Sequence, residues 1–334
     1  MNKKAKVVAM MLSTLMVVGV FTGCAQTTNT SSQIESSTQQ EGKFTLEYTE
    51  AMKAQGFTDP IVLEKEPERV VSITAATTPL LFEMGVSLVG VPNSTIYEIP
   101  EDYEGEKLQT LMSDDFDIET VVSLDPDLVI MPASSKEQYG KTLEDSNIPV
   151  YYTNSGHSAN ISAYESTYQE AQAIINAFDK DSKEGKEILK SFEDLEAKLE
   201  KSKKDLEGKS VMVLATTQYI QSKLGTAGSM ADMIGLTNVF ENDKTGMVPL
   251  DQETTMSYEP DVVIVVGSSM SVEENKATAE AEFKSNAKYW ESFDAIKNGN
   301  VIYLPSSYMP STGIGIVDQI SDLMDLVYDN FGIK

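Results

Sequence analysis

From residue 69 onward, short apolar runs rich in β-branched residues alternate with stretches whose apolar positions recur at helical spacing. Residues 69–73 (RVVSI), 88–91, 128–131 and 150–152 read as strands. Residues 77–84, 118–122 and 136–144 read as the helices between them. Strands that are apolar throughout, separated by helices, predict a parallel sheet covered on both faces. Asp125-Pro126-Asp127 ends the second helix, because the residue before proline avoids the helical region.

The pattern changes over 162–208. β-branched clusters vanish, and Ala171, Ile174, Ile175, Phe178, Ile188, Leu189, Phe192, Leu195 and Leu199 fall at helical spacing. This predicts about 45 residues of helix, far above the usual length, with a bend at Asp179-Lys180-Asp181. The strand and helix alternation then restarts: strands at 210–215, 262–266 and 301–304, helices at 230–234, around Trp290 and Phe293, and at 314–331. SLDPDLVIMPAS (123–134) and SYEPDVVIVVGS (257–268) match in order and chemistry. The expected fold class is therefore α/β, with two Rossmann-like lobes (44–159 and 209–334) joined by one long bridging α-helix (160–208).

The amino terminus is organised differently. Lys3, Lys4 and Lys6 precede an apolar run over 7–21. At about 15 residues the run is shorter than the roughly 20 that span a bilayer. It reads as a secretory signal peptide over 1–23. Phe21-Thr22-Gly23-Cys24 resembles a bacterial lipobox, in which Cys24 becomes lipidated and anchors the chain to the outer face of the membrane. Cys24 is the single cysteine, so no internal disulfide is available. The Ser-, Thr- and Gln-rich stretch 24–43 reads as a flexible tether.

The chain carries 52 acids against 26 bases, a net charge of −26. Removing 1–23 deletes three lysines and no acid, which makes it −29. Such a surface repels phosphate backbones, which excludes non-specific nucleic-acid binding. With one histidine and a single cysteine that the lipobox resemblance implies is lipidated, His-based triads and Cys nucleophiles are nearly excluded, and no paired-acid motif stands out. The expectation is a non-enzyme.

ERVVSI (68–73), LVGVP (88–92), the two Pro-Asp strands and FDAIKNGNVIYL (293–304) together resemble the class III periplasmic binding proteins, receptors of metal-chelate ABC importers. The likeness covers about residues 66–334. It implies two α/β lobes, a ligand held in the cleft between them, modest hinge motion, and ABC permease and ATPase subunits as partners of a monomeric receptor. Ligands of open parallel sheets bind beyond the carboxyl ends of the strands, and two such edges face to face make a concave site.

Within that family, VPNSTIYEIPEDYEGEKLQTLMSDDFDIETVVSLDPDLVI (91–130) is most similar to the heme receptors of Gram-positive surface uptake systems. Those use an axial Met from the first lobe and an axial His from the second. Met112 occupies the Met position, and its soft thioether suits heme iron. The His position falls at Gly267-Ser268-Ser269-Met270, which has none. His157, Met270 and Met309 are the candidates for the second ligand, and Tyr308, Tyr219 and Tyr97 for phenolate or hydrogen-bonding roles. Heme is the leading cargo; a ferric siderophore or cobalamin is the alternative.

Arg69 is the single arginine, at the strand end away from the cleft. No Arg clamp for carboxylates is available there, which favours a neutral or weakly anionic ligand. Residues 72–78 and 224–230 open helices and offer backbone N–H groups. The resemblance also implies one permease-docking Glu per lobe. Glu253, in LDQETT, matches the second; the first falls on Pro79, with Glu83 one turn on as substitute.

Overall fold

The computed structural model describes residues 43–154, 162–310 and 313–334. The signal peptide, Cys24, nearly all of the tether and His157 lie outside the described residues. The tether's last residue, Lys43, is already ion-paired with Glu64 at 2.7 Å.

The first lobe opens with an antiparallel pair, β1 (Phe44–Leu46) and β2 (Ile61–Leu63), with α1 (Glu50–Lys53) between them. Its main sheet holds β3 (Val70–Ser72), β4 (Leu88–Pro92), β5 (Glu106–Leu108), β6 (Leu128–Pro132) and β7 (Val150–Thr153) in the order β5-β4-β3-β6-β7, all parallel. The helices α2 (Thr78–Glu83), α3 (Ile118–Ser123) and α4 (Lys141–Asp145) connect the strands. The helix expected over 136–144 is shorter than its pattern: a π-helical turn at Lys136–Gly140 precedes α4.

Two helices follow, α5 (Ala163–Phe178) and α6 (Lys183–Asp205), where the spacing predicted one continuous bridge. Asp179 is extended and its carboxylate accepts from the Asp181 amide. Ser182 then caps α6 by accepting from the Gly185 amide at 3.1 Å. These caps satisfy amides that a helix start leaves unpaired, so the expected bend is a full break. The chain folds back: Tyr164 and Tyr168 of α5 stack near Phe192 of α6. A side chain at Gly185 would meet Ile175 at 2.7 Å, so glycine allows the close approach there.

In the second lobe, β8 (Ser210–Ala215), β9 (Tyr219–Gln221), β10 (Thr237–Asn238), β11 (Met247–Pro249), β12 (Val262–Val266) and β13 (Val301–Leu304) form one sheet, ordered β11-β9-β8-β12-β13 with β10 beside β8. β10, β8, β12 and β13 are parallel, while β9 and β11 add antiparallel to one edge. The helices are α7 (Thr226–Met233), α8 (Gln252–Thr255), α9 (Val272–Ser285), α10 (Ala287–Trp290), α11 (Asp294–Lys297) and α12 (Ile316–Phe331). Trp290 and Phe293 therefore sit at a junction of two short helices, where they stack with Phe283 and Tyr289.

The α5–α6 pair belongs to both cores. Ala171, Ile174 and Ile175 pack in the first-lobe core; Ala163, Tyr164, Phe192, Leu195 and Leu199 pack in the second. Ile188 and Ile314 touch both.

The repeated Pro-Asp motif has a structural job. The Asp127 carboxylate accepts from the Glu68 and Arg69 amides at 3.0 and 2.9 Å, where β3 begins. Asp261 does the same in the second lobe, accepting from the Ser210 amide at 2.8 Å and from its hydroxyl at 2.9 Å, where β8 begins. Each aspartate ties the start of its own strand to the start of the neighbouring one. Asp127→Ala leaves two backbone donors without this partner and is expected to cost about 1–3 kcal/mol, read by urea unfolding. Phe192→Ala, in the core shared with α5, is expected to cost about 3–5 kcal/mol by the same measurement.

Candidate functional site

Each sheet presents the carboxyl ends of its parallel strands as a row of loops, and the described ligand-site residues expected from the sequence sit on those loops, except Tyr219, which opens strand β9. Met112 follows β5 and is 94% exposed. Tyr97 follows β4. In the second lobe Tyr219 follows β8, Met270 follows β12, and Tyr308 and Met309 follow β13. The loops after β12 and β13 are tied together: the Ser306 amide donates to the Ser269 carbonyl at 2.9 Å, and the Ser306 hydroxyl meets the Met270 sulfur at 3.3 Å. Met309 is held by the turn before α7, where Gln221 Nε2 reaches its sulfur at 3.4 Å and Thr226 donates to its carbonyl at 2.8 Å. Met270 remains 55% exposed.

A cavity of about 600 Å³ lies where the lobes meet the bridge. Pro79 and Glu83 of α2 and the Ile96–Tyr97 loop line it from the first lobe; Ser307, Ile314 and the start of α12 line it from the second. Glu184, Glu187, Ile188 and Ser191 of α6 form its third wall. Its size is in the range of small-molecule sites. Four carboxylates (Glu83, Glu184, Glu187 and Asp318) and no basic side chain line it. Lys183 pairs with Glu187 from outside at 3.3 Å.

The tyrosines divide. Burial pushes the Tyr97 hydroxyl up to about 12, a hydrogen bond with Thr78 partly offsetting it. Its hydroxyl donates to the Pro92 carbonyl, so Tyr97 enters the cavity wall as a neutral donor. Tyr308 is buried in the second core, and its hydroxyl donates to the Gln319 carbonyl at 3.1 Å. Burial, with Asp322 nearby, pushes it well above the ordinary tyrosine range. Tyr308 thus takes a structural position that binds the loop after β13 to α12. Tyr219 is exposed on the outer part of the sheet edge.

Arg69 is exposed and turned onto the backbone of the α3–β6 turn. Its guanidinium donates to the Leu124 and Asp125 carbonyls at 2.5 and 2.9 Å, holding Asp125 in the left-handed region at φ 48°. Glu253 and Glu83 are both exposed, Glu253 in the first turn of α8. Among the described residues, no group of three or more His, Cys, Asp or Glu side chains could hold a metal ion, and no helix is long and apolar enough to cross a membrane.

The sequence profile described as periplasmic binding protein matches residues 70–308. The chain belongs to this family. It is a binding protein and not an enzyme. Among similar proteins is an uncharacterized ABC transporter substrate-binding lipoprotein of Bacillus subtilis (strain 168), YvrC, 24% identical over 280 residues, covering 80% of this chain and 82% of that one. The petrobactin-binding protein YclQ of the same organism is 25% identical over 262 residues, covering 75% and 79%. The crystal structure of S. aureus IsdE complexed with heme superposes with a TM-score of 0.62 at 20% identity, covering 78% of this chain and 98% of that one. At that identity it shows the shared fold, two α/β lobes with parallel-rich sheets and a long helix.

The four cavity carboxylates were not singled out by sequence reasoning, except Glu83. Glu184 and Asp318 lie in first helical turns, where acids favour the helix dipole anyway, and Glu187 pairs with Lys183 one turn back, so nothing local separated them from surface acids. Tyr308→Phe in this periplasmic binding protein is expected to lose about 1 kcal/mol of stability, read by thermal or urea unfolding, without changing affinity for any cleft ligand.

Proposed function

We propose that this protein is the substrate-binding lipoprotein of an ABC importer, anchored outside the membrane through Cys24, and that it carries an iron chelate in the inter-lobe cleft to a permease. The observation that carries this reading is a small-molecule-sized cavity walled by both lobes and by the α6 strut. The names of YvrC and YclQ support the transporter class. Glu253, with Glu83 in the first lobe, is assigned to permease docking.

Heme is the leading cargo, with Met112 as an axial ligand. Met112 is exposed on a carboxyl-edge loop, and a thioether binds heme iron well. Met270 and Met309 are the described candidates for the opposite position. His157, outside the described residues, is the further candidate that the sequence offers. Adding hemin to the protein should produce a Soret band, and Met112→Ala should weaken hemin binding by about tenfold or more, ~1.4 kcal/mol. No spectral change on hemin addition sinks the heme assignment.

The cavity chemistry favours a second cargo class. Four carboxylates, no basic lining residue and an arginine spent on backbone carbonyls disfavour an anionic ligand on electrostatic grounds. A neutral or cationic ferric siderophore, or cobalamin, fits that lining better than exposed propionates do. The petrobactin-binding relative is in keeping with this class. Quenching of the single tryptophan or the tyrosines by a ferric siderophore, with no response to hemin, would select it. Glu253→Lys should leave ligand affinity unchanged and lower receptor-stimulated ATPase activity of the reconstituted transporter, because a rim charge acts mainly on encounter and register.

A further inference from the structure

We propose that the contact between the second-lobe turn at Gly313–Gly315 and the entry to α2 is a proton-sensitive latch on the cleft, with Glu170 of α5 as its sensor. Gly313 sits against the first-lobe backbone so closely that a Cβ there would meet the Ala76 carbonyl oxygen at 1.7 Å. Its φ of +61° is also one that side chains rarely adopt. The neighbouring Ile314 packs into both cores, and the turn rests on both α2 and α5.

Directly beside Ala76, Thr77 donates to the Glu170 carboxylate at 2.5 Å. Glu170 is part-buried and Thr77 buried in this closed arrangement, and separating the lobes at Gly313 would expose the rest of the pair. Burial raises the Glu170 carboxyl from 4.5 to about 7, and the Thr77 bond holds it down from going higher. The α2 entry (74–79) and residues 313–317 carry no titratable side chain. From β7, Tyr151 faces Glu170; its own hydroxyl donates to the Glu47 carbonyl beyond β1, and burial, with the Glu170 charge next, pushes it up. From α2, α6 and α12, Glu83, Glu184, Glu187 and Asp318 line the adjoining cavity.

The sign follows from linkage. A carboxyl raised in the closed form favours closure when protonated; that advantage is complete below 4.5 and is lost as pH rises through about 7. If opening fully hydrates Glu170, the closed-to-open ratio falls by up to about 300-fold across that window. The latch deepens the transport reading, since it sets how tightly the cleft shuts around cargo.

Hydrogen–deuterium exchange of the full chain, without ligand, tests it on the segment 74–82. Comparison between variants at one pH cancels the intrinsic exchange rate, because the substitution at 170 lies outside that segment. At pH 8 the unmodified chain should exchange about tenfold faster there than Glu170→Gln, and at pH 5 the two should match. Thr77→Val, which keeps the carboxyl and removes the bond that lowers it, should move the transition to higher pH. Gly313→Ala should exchange fast at both pH values. Equal exchange of the unmodified chain and Glu170→Gln at pH 8, an unmoved transition in Thr77→Val, or protection retained in Gly313→Ala would overturn the latch. No ligand enters the measurement, so such a result leaves the transport assignment standing.

Discussion

The helix pair α5–α6 is buried in two cores at once, and this shared burial sets where the two sheets stand. Phe192, Leu195 and Leu199 cannot leave the second-lobe core without α6 sliding past Ile174 and Ile175 of α5 in the first. Packed interiors resist such sliding because they are as dense as organic crystals. The strut therefore limits the lobes to small relative movement, and the cavity against α6 keeps its third wall throughout. A receptor built this way is preorganised, so less ordering is charged against ligand affinity.

Within each lobe, the same local device aligns the strands. Asp127 and Asp261 bridge the starts of adjacent parallel strands at the edge away from the cleft. Arg69 reinforces the first of these by capping Leu124 and Asp125. These ties lie at the amino ends of the strands; the loops with Met112, Met270 and Met309 lie at the carboxyl ends. The carboxylates around the cavity add a third element, a negative field that discriminates among ligands by charge before any specific contact forms.

Much of this architecture was legible in the chain. The expected strands at 210–215, 262–266 and 301–304 coincide with β8, β12 and β13, because a fully buried strand must be apolar on both faces and so stands out. The elements that escaped notice have weaker signatures. The edge pair β9 and β11 is short and mixes polar residues such as Gln221 with Met247, and α9 exposes most of its length. The bridge was legible as helix with a bend at 179–181, where the apolar pattern lapses between Phe178 and Ile188; that the bend is a full break shows only in the extended Asp179 and the Ser182 cap.

Of the described site residues expected from the sequence, Tyr97 and Glu83 line the cavity, and Met112, Met270, Met309, Tyr219 and Tyr308 do not. Local pattern put Met270 on the loop after an expected strand, whereas Met112 was placed by family resemblance, since β5 before it was not among the expected strands. Only tertiary structure decided that Tyr308 is buried against Gln319, that Glu184, Glu187 and Asp318 converge on one cavity, and that Glu170 is part-buried beside Thr77. Those outcomes depend on contacts between elements far apart in the chain, and desolvation, which sets the chemistry of a polar group, is a property of everything packed around it.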